Sequence, residues 1–218
     1  YTEKWQKTGE KYMNSISEES NYEKVFSQFK SRFLESNLEE TSKILQLKAD
    51  DEYLYVPFFC KICRVARETG EITGEKNQEI SVTDRLTIMH HLCCYQKFAQ
   101  KSDRKVPFRE IREAAVFEAA YNRMALEPLK KAFQGRGDAL LKAGIEIGGK
   151  QEKFGDVSIT LQAFPTISLT YIFWDSDEEF PAAANILFDN RIAQWTHPES
   201  VPVLAETGTK RLIAAMGI

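Results

Sequence analysis

Ile167 to Trp174 reads Ile-Ser-Leu-Thr-Tyr-Ile-Phe-Trp, and this run restricts the fold more than any other segment. Eight residues are too few for a membrane span and suit a strand. A strand so apolar belongs in the middle of a sheet, with other elements covering it. Just before it, Val157, Ile159 and Leu161 alternate with Ser158, Thr160 and Gln162, the period-two signature of a half-buried strand. Pro165-Thr166 turns the chain between the two. Asn185 to Phe188 reads as a shorter third strand.

The remaining sequence is largely helical. Tyr22, Val25, Phe26, Phe29 and Phe33 recur at steps of three or four, which predicts a helix over 18–36. A second short helix follows over 38–47. Tyr53 to Val65 is rich in aromatic and β-branched residues and reads as one long strand or a strand pair. Ser81-Val82-Thr83-Asp84 opens a helix running to about Gln100. Residues 108–133 read as helix interrupted near Pro128, and Asp138 to Lys142 as a short helix stopped by Gly144. One or two closing helices fill 191–216, with Thr196 and Glu199 in capping-box spacing and Pro202 and Gly208 as points of interruption. The pattern predicts a single α+β domain over 1–218, a mainly antiparallel sheet packed with helices, with residues 1–48 as a helical N-terminal extension.

Charge narrows the partners. Twenty-nine Lys and Arg against 32 Asp and Glu leave a net charge of −3, without the basic excess that nucleic acid requires. No apolar run reaches membrane-spanning length, and no charged-then-apolar leader is visible. The four cysteines form two close pairs, Cys60/Cys63 and Cys93/Cys94, unlike a secreted disulfide framework. Reduced thiols in the cytoplasm are the expectation.

Three groups of residues carry the functional expectations. The first is the acidic stretch after the central strand: Trp174, Asp175, Asp177, Glu178, Glu179, Phe180 and Asp189, with no base before Arg191. Carboxylates fixed at a strand end could hold a hard cation or orient a ligand, or could simply bond turn backbone. The second is His90-His91-Leu92-Cys93-Cys94. On a helix His90 and Cys94 share a face, a workable metal chelate, and an imidazole can serve as an axial ligand to a tetrapyrrole. His197 is the only other histidine. The third is Cys60-Lys61-Ile62-Cys63, whose strand-like flanks point the two thiols to opposite faces. An iron–sulfur cluster within this chain is therefore not expected.

The run from Phe164-Pro165 through Leu169-Thr170-Tyr171-Ile172-Phe173-Trp174-Asp175-Ser176-Asp177-Glu178-Glu179-Phe180-Pro181 to Ile186-Leu187-Phe188-Asp189 resembles the signature of an uncharacterised family, "domain of unknown function 3786". Thr83-Asp84-Arg85-Leu86, Val106-Pro107-Phe108-Arg109-Glu110 and Gly155-Asp156-Val157 are similar in weaker form. The family occurs mainly in anaerobic bacteria and archaea. Some members carry an iron–sulfur label, and some are associated with corrinoid or one-carbon metabolism.

The resemblance implies a cofactor- or ligand-binding protein of anaerobic metabolism. The ligand expected is a tetrapyrrole, corrinoid or haem, with the acidic stretch orienting it and His90, His91 or His197 offering an axial nitrogen. One alternative is a divalent-metal-dependent enzyme with Asp175, Asp177 and Glu178 as ligands. Another is an interaction module that docks on an iron–sulfur or corrinoid methyl-transfer protein through Phe180 and Trp195.

Overall fold

The computed structural model describes residues 21–217. It contains two antiparallel sheets. The first comprises β1 (Lys48–Ala49), β2 (Tyr53–Phe58), β3 (Lys61–Ala66) and β4 (Ile72–Thr73), in that spatial order. The second is built from β5 (Lys105–Pro107), β6 (Lys150–Gln151), β7 (Val157–Phe164), β8 (Ile167–Trp174) and β9 (Ala183–Asp189), in the order β5-β9-β8-β7-β6. The helices are α1 (residues 21–34), α2 (Leu38–Leu45), α3 (Val82–Cys94), α4 (Glu118–Tyr121), α5 (Glu127–Phe133), α6 (Gly137–Glu146) and α7 (Ser200–Ala215). The class is α+β. Residues 1–20, which carry the start of the expected extension, lie outside the described residues.

The apolar run is the central strand of the larger sheet. β8 pairs with β7 through Ile159↔Tyr171 and with β9 through Tyr171↔Ile186. Six of its eight residues are buried, so both faces are covered, as its composition demands. In the smaller sheet Leu54, Val56 and Phe58 alternate inward along β2. The Phe59 N–H donates to the Ala163 carbonyl at 2.8 Å, and the Phe58 and Phe164 rings lie 5.0 Å apart. These contacts join the two sheets. The described part of residues 1–48 packs into the same core through Phe26, Phe33 and Leu45.

Several helix limits differ from the sequence expectation, each for a packing reason. α3 stops at Cys94 because Tyr95 is extended and Gln96 N–H bonds to the Gln194 carbonyl at 2.7 Å. Pro128 occupies the first turn of α5, and a π turn over Asn122–Leu126 precedes it. Proline cannot donate one turn back, and widening the helix absorbs the loss. Gly144 does not end α6 but lies inside it, where a Cβ would come 2.5 Å from Ile159 Cγ1. The chain leaves that helix at Gly148, with φ of 78°.

α7 is continuous through both expected interruptions. Pro202 sits in its first turn, where the missing N–H costs nothing. The Thr196–Glu199 capping box does not form. The Thr196 hydroxyl has no partner among the described residues, while the Ser200 and Val201 N–H groups bond to the His197 and Pro198 carbonyls. The turn before the helix thus supplies the acceptors a side chain would have given. No described helix is long and apolar enough to cross a membrane.

Candidate functional site

The acidic stretch is a set of backbone clasps. Asp175 Oδ1 accepts from Gly135 N–H at 2.7 Å and Ser176 N–H at 2.8 Å, while its own N–H donates to Asp156 Oδ2 at 2.8 Å. Asp177 Oδ1 accepts from Glu179 and Phe180 N–H at 2.8 and 2.7 Å. Asp189 receives Ser102 N–H on one oxygen and Arg191 N–H on the other, each at 2.7 Å. Hydrogen bonding to the charged form favours it. The Gly135 N–H is the main reason Asp175 is held below the usual carboxylate range, and the Glu179 N–H plays that part for Asp177. Glu178 and Glu179 extend into solvent, Phe180 is 66% exposed and Trp174 40% exposed. None of these residues lines the cavity beside α3 or the cleft beside Arg211.

His90 and His91 are interior, while His197 is half-exposed. His91 Nδ1 lies 2.8 Å from the Trp195 carbonyl, its Nε2 lies 3.5 Å from the Thr166 hydroxyl, and its ring stacks on Phe164 at 4.0 Å. Burial pushes its pKa down to about 4, so it stands as a neutral core residue with both nitrogens engaged. His90 Nδ1 lies 2.8 Å from Ser200 Oγ. Its ring meets Phe29 edge-on at 4.4 Å and His197 at 4.7 Å. Burial first, then the neighbouring His197 and Arg32, lowers its pKa to about 4.

Cys94 is half-buried on α3 beside Arg32, and burial raises its thiol. Cys60 is exposed in the β2–β3 turn, not within a strand, while Cys63 is buried on β3. Trp195, 4% exposed, belongs to the core and presents no docking surface. Its backbone faces His91, which pulls the indole inward. Among the described residues, no three or more His, Cys, Asp and Glu side chains converge to hold a metal ion. Addition of Mg²⁺, Ca²⁺ or Zn²⁺ is therefore expected to leave the melting temperature unchanged, and Asp177→Asn to shift it only slightly. A metal-induced stabilisation lost in that variant would contradict this geometry.

His90 meets open space beside α3. A partly enclosed cavity of about 290 Å³ lies between α1, α3, α4 with its preceding turn, and the start of α7. Leu86, Phe117, Ala120, Met124, Pro202 and Val203 make a mostly apolar wall, and His90 and Ser200 supply its polar end. Their contact joins residues 110 positions apart. It exists because α3 and α7 run antiparallel with small and apolar side chains between them.

The chain matches the family described as Domain of unknown function (DUF3786) over residues 37–211. It belongs to this family. No curated protein and no solved structure matches the chain. The family span contains all cavity residues named above; only Tyr22, on α1 at the rim, lies outside it. Of the residues the sequence singled out, His90 reaches the cavity and the half-exposed His197 packs against the His90 ring. Asp175, Asp177 and Asp189 lie apart. Ser200 and Met124 escaped sequence reasoning, since no local spacing links either of them to His90.

The cavity beside His90, at about 290 Å³, is small for a tetrapyrrole. Pockets of about 300–1,000 Å³ enclose drug-sized ligands, and a haem or corrin is larger than the space beside His90 allows. A macrocycle mounted at the rim on His90 or His197 would leave most of its ring in water.

Proposed function

We propose that this protein binds a small, mainly apolar molecule in the cavity beside α3, with His90 and Ser200 meeting its one polar group. The observation that supports the reading is the placement of a neutral, hydrogen-bonded imidazole on a mostly apolar wall, with Thr83, Thr87 and Glu199 among its other polar residues. Sites of this composition take their affinity from the walls and their orientation from the few polar groups. A dry cavity of about 150 Å³ accepts benzene. The space here is about twice that and suits a bicyclic aromatic or a short acyl chain.

Catalysis is the weaker reading. A serine next to a histidine is the start of a nucleophile–base pair. Among the described residues no third group orients the imidazole, and a pKa of about 4 makes it a poor base at neutral pH. Docking on a larger iron–sulfur or corrinoid assembly through Phe180 and Trp195 keeps only the exposed Phe180, since Trp195 is buried.

Indole and quinoline are suitable probes. Each is expected to raise the melting temperature of the wild-type chain, and neither that of Ala120→Phe, in which a ring fills the cavity. Ala120→Phe itself remains folded, because Ala120 borders open space. Failure of both probes to stabilise the wild type, or equal stabilisation of the variant, would overturn the proposal.

A further inference from the structure

A second cleft, of about 220 Å³, lies at the opposite end of the α3–α7 pair. Its walls come from the β2–β3 turn, the segment from Gly74 to Ile80, the first turn of α3 and the last turns of α7. It is polar where the His90 cavity is apolar. Asp84 stands on α3 and Arg211 on α7, with Lys61 at the turn and Glu75 on the covering segment.

Charges at helix ends often answer only to the helix dipole. Asp84 in the first turn of α3 satisfies that rule, whereas Arg211 lies before the last turn of α7 and does not. The rule does not explain how they are held. Arg211 makes no hydrogen bond or ion pair among the described residues, and its Nε is buried without an acceptor. Its guanidinium sits 5.4 Å from the centres of both the Phe58 and Phe59 rings, which fix it in place without neutralising it. Asp84 also has no ion-pair partner within 4 Å among the described residues, although Arg211 and Lys210 act on its carboxylate from further off and the Ser81 and Thr207 hydroxyls lie close to it. Burial pushes the Asp84 carboxyl above its ordinary value, with Arg211 pulling the other way.

A half-buried guanidinium whose buried Nε lacks an acceptor calls for an occupant. Planar guanidinium matches a carboxylate through paired N–H bonds. The opposed carboxylate of Asp84 asks for a cationic donor. A lone anion would meet Asp84, Glu75 and Glu79, and a lone cation would meet Arg211 and Lys61. A molecule carrying both charges satisfies the two walls together.

We propose that this cleft binds a small zwitterion of the α-amino-acid class, its carboxylate on Arg211 and its ammonium on Asp84. The site is independent of the His90 cavity and stands or falls without it. The test is isothermal titration and thermal shift of the intact chain with each standard α-amino acid. Each is paired with its carboxamide and with the matching acid that lacks the amine. At least one amino acid should bind and raise the melting temperature, with both partial analogues roughly tenfold or more weaker, the scale of losing one charge-assisted hydrogen bond.

Arg211→Met and Asp84→Asn should each abolish the shift, while Ala120→Phe leaves it intact. Asp84→Asn is a folded control by its own physics. Removing a charge that burial disfavours should raise the basal melting temperature even as ligand response is lost. The proposal is overturned if no amino acid binds, if the amine-free acid binds as well as the amino acid, or if either variant binds undiminished.

Discussion

Alanine at Gly208 is expected to destabilise the protein, although helix propensity alone predicts the reverse. Gly208 lies in the middle of α7, where Gly→Ala ordinarily stabilises by about 1 kcal/mol. A Cβ there would come 2.0 Å from the Tyr171 hydroxyl oxygen and 2.8 Å from its Cζ. Tyr171 cannot yield easily. It is fully buried at the centre of β8, and its hydroxyl donates to the Ala205 carbonyl at 2.8 Å. Overpacking of this kind costs about 3 kcal/mol or more, so steric strain wins by about 2 kcal/mol. A fall of roughly 4–8 °C in melting temperature follows for a chain of this size. Tyr171→Phe removes the nearest atom, so the Gly208→Ala/Tyr171→Phe pair should lose less than the sum of its parts. A Gly208→Ala variant as stable as wild type would mean that α7 does not touch β8 as described.

Acid is expected to unfold the protein well above the range in which its carboxylates titrate. His90 and His91 both fall from 6.5 to about 4 on folding, chiefly through burial. A depressed histidine stays neutral in the folded state while the unfolded chain takes up the proton. Stability is therefore fully present above pH 6.5 and is lost as pH falls toward 4. At about 1.4 kcal/mol per pH unit, each ring contributes on the order of 3 kcal/mol to this loss. Together they approach the whole stability of a typical domain.

Asp175 and Asp177, held low by backbone N–H groups, act in a separate window. What they contribute is present above 3.8 and is lost only below it. Asp84, raised by burial, works in the opposite direction and eases as it protonates. Urea midpoints measured from pH 7.5 to 4 should fall steeply below 6.5, and more gently in His91→Gln. A flat profile down to pH 4.5 would show that the imidazoles are not buried neutral.

The sheet was legible because its signals are local. An eight-residue apolar run, a preceding alternation and a Pro-Thr turn announce β7 and β8, and their covering follows from burying both faces. The short strands β1, β4, β5 and β6 were not legible, since two or three residues carry no period. Helix ends misled where tertiary contacts overrode local chemistry, as with Gln96 on Gln194 and Gly144 under Ile159. The site was harder still. Five acids after a buried strand imitate a ligand cluster, yet Asp175, Asp177 and Asp189 spend their oxygens on nearby N–H groups, a use that leaves the same trace in sequence. His90 was visible as a candidate, but nothing in the spacing distinguished it from His91. Only the packing of α3 against α7 turns one toward the cavity and seals the other against Phe164.

The central claim is that the apolar cavity beside His90 receives the ligand. Methyl-labelled methionine offers a direct test by NMR, because Met124 lines the cavity while Met89 is sealed in the core. Titration with quinoline is predicted to shift the Met124 methyl and the His90 ring signals saturably, and to leave the Met89 methyl unmoved. Saturable binding with the Met124 and His90 signals unchanged would place the ligand elsewhere and contradict the account.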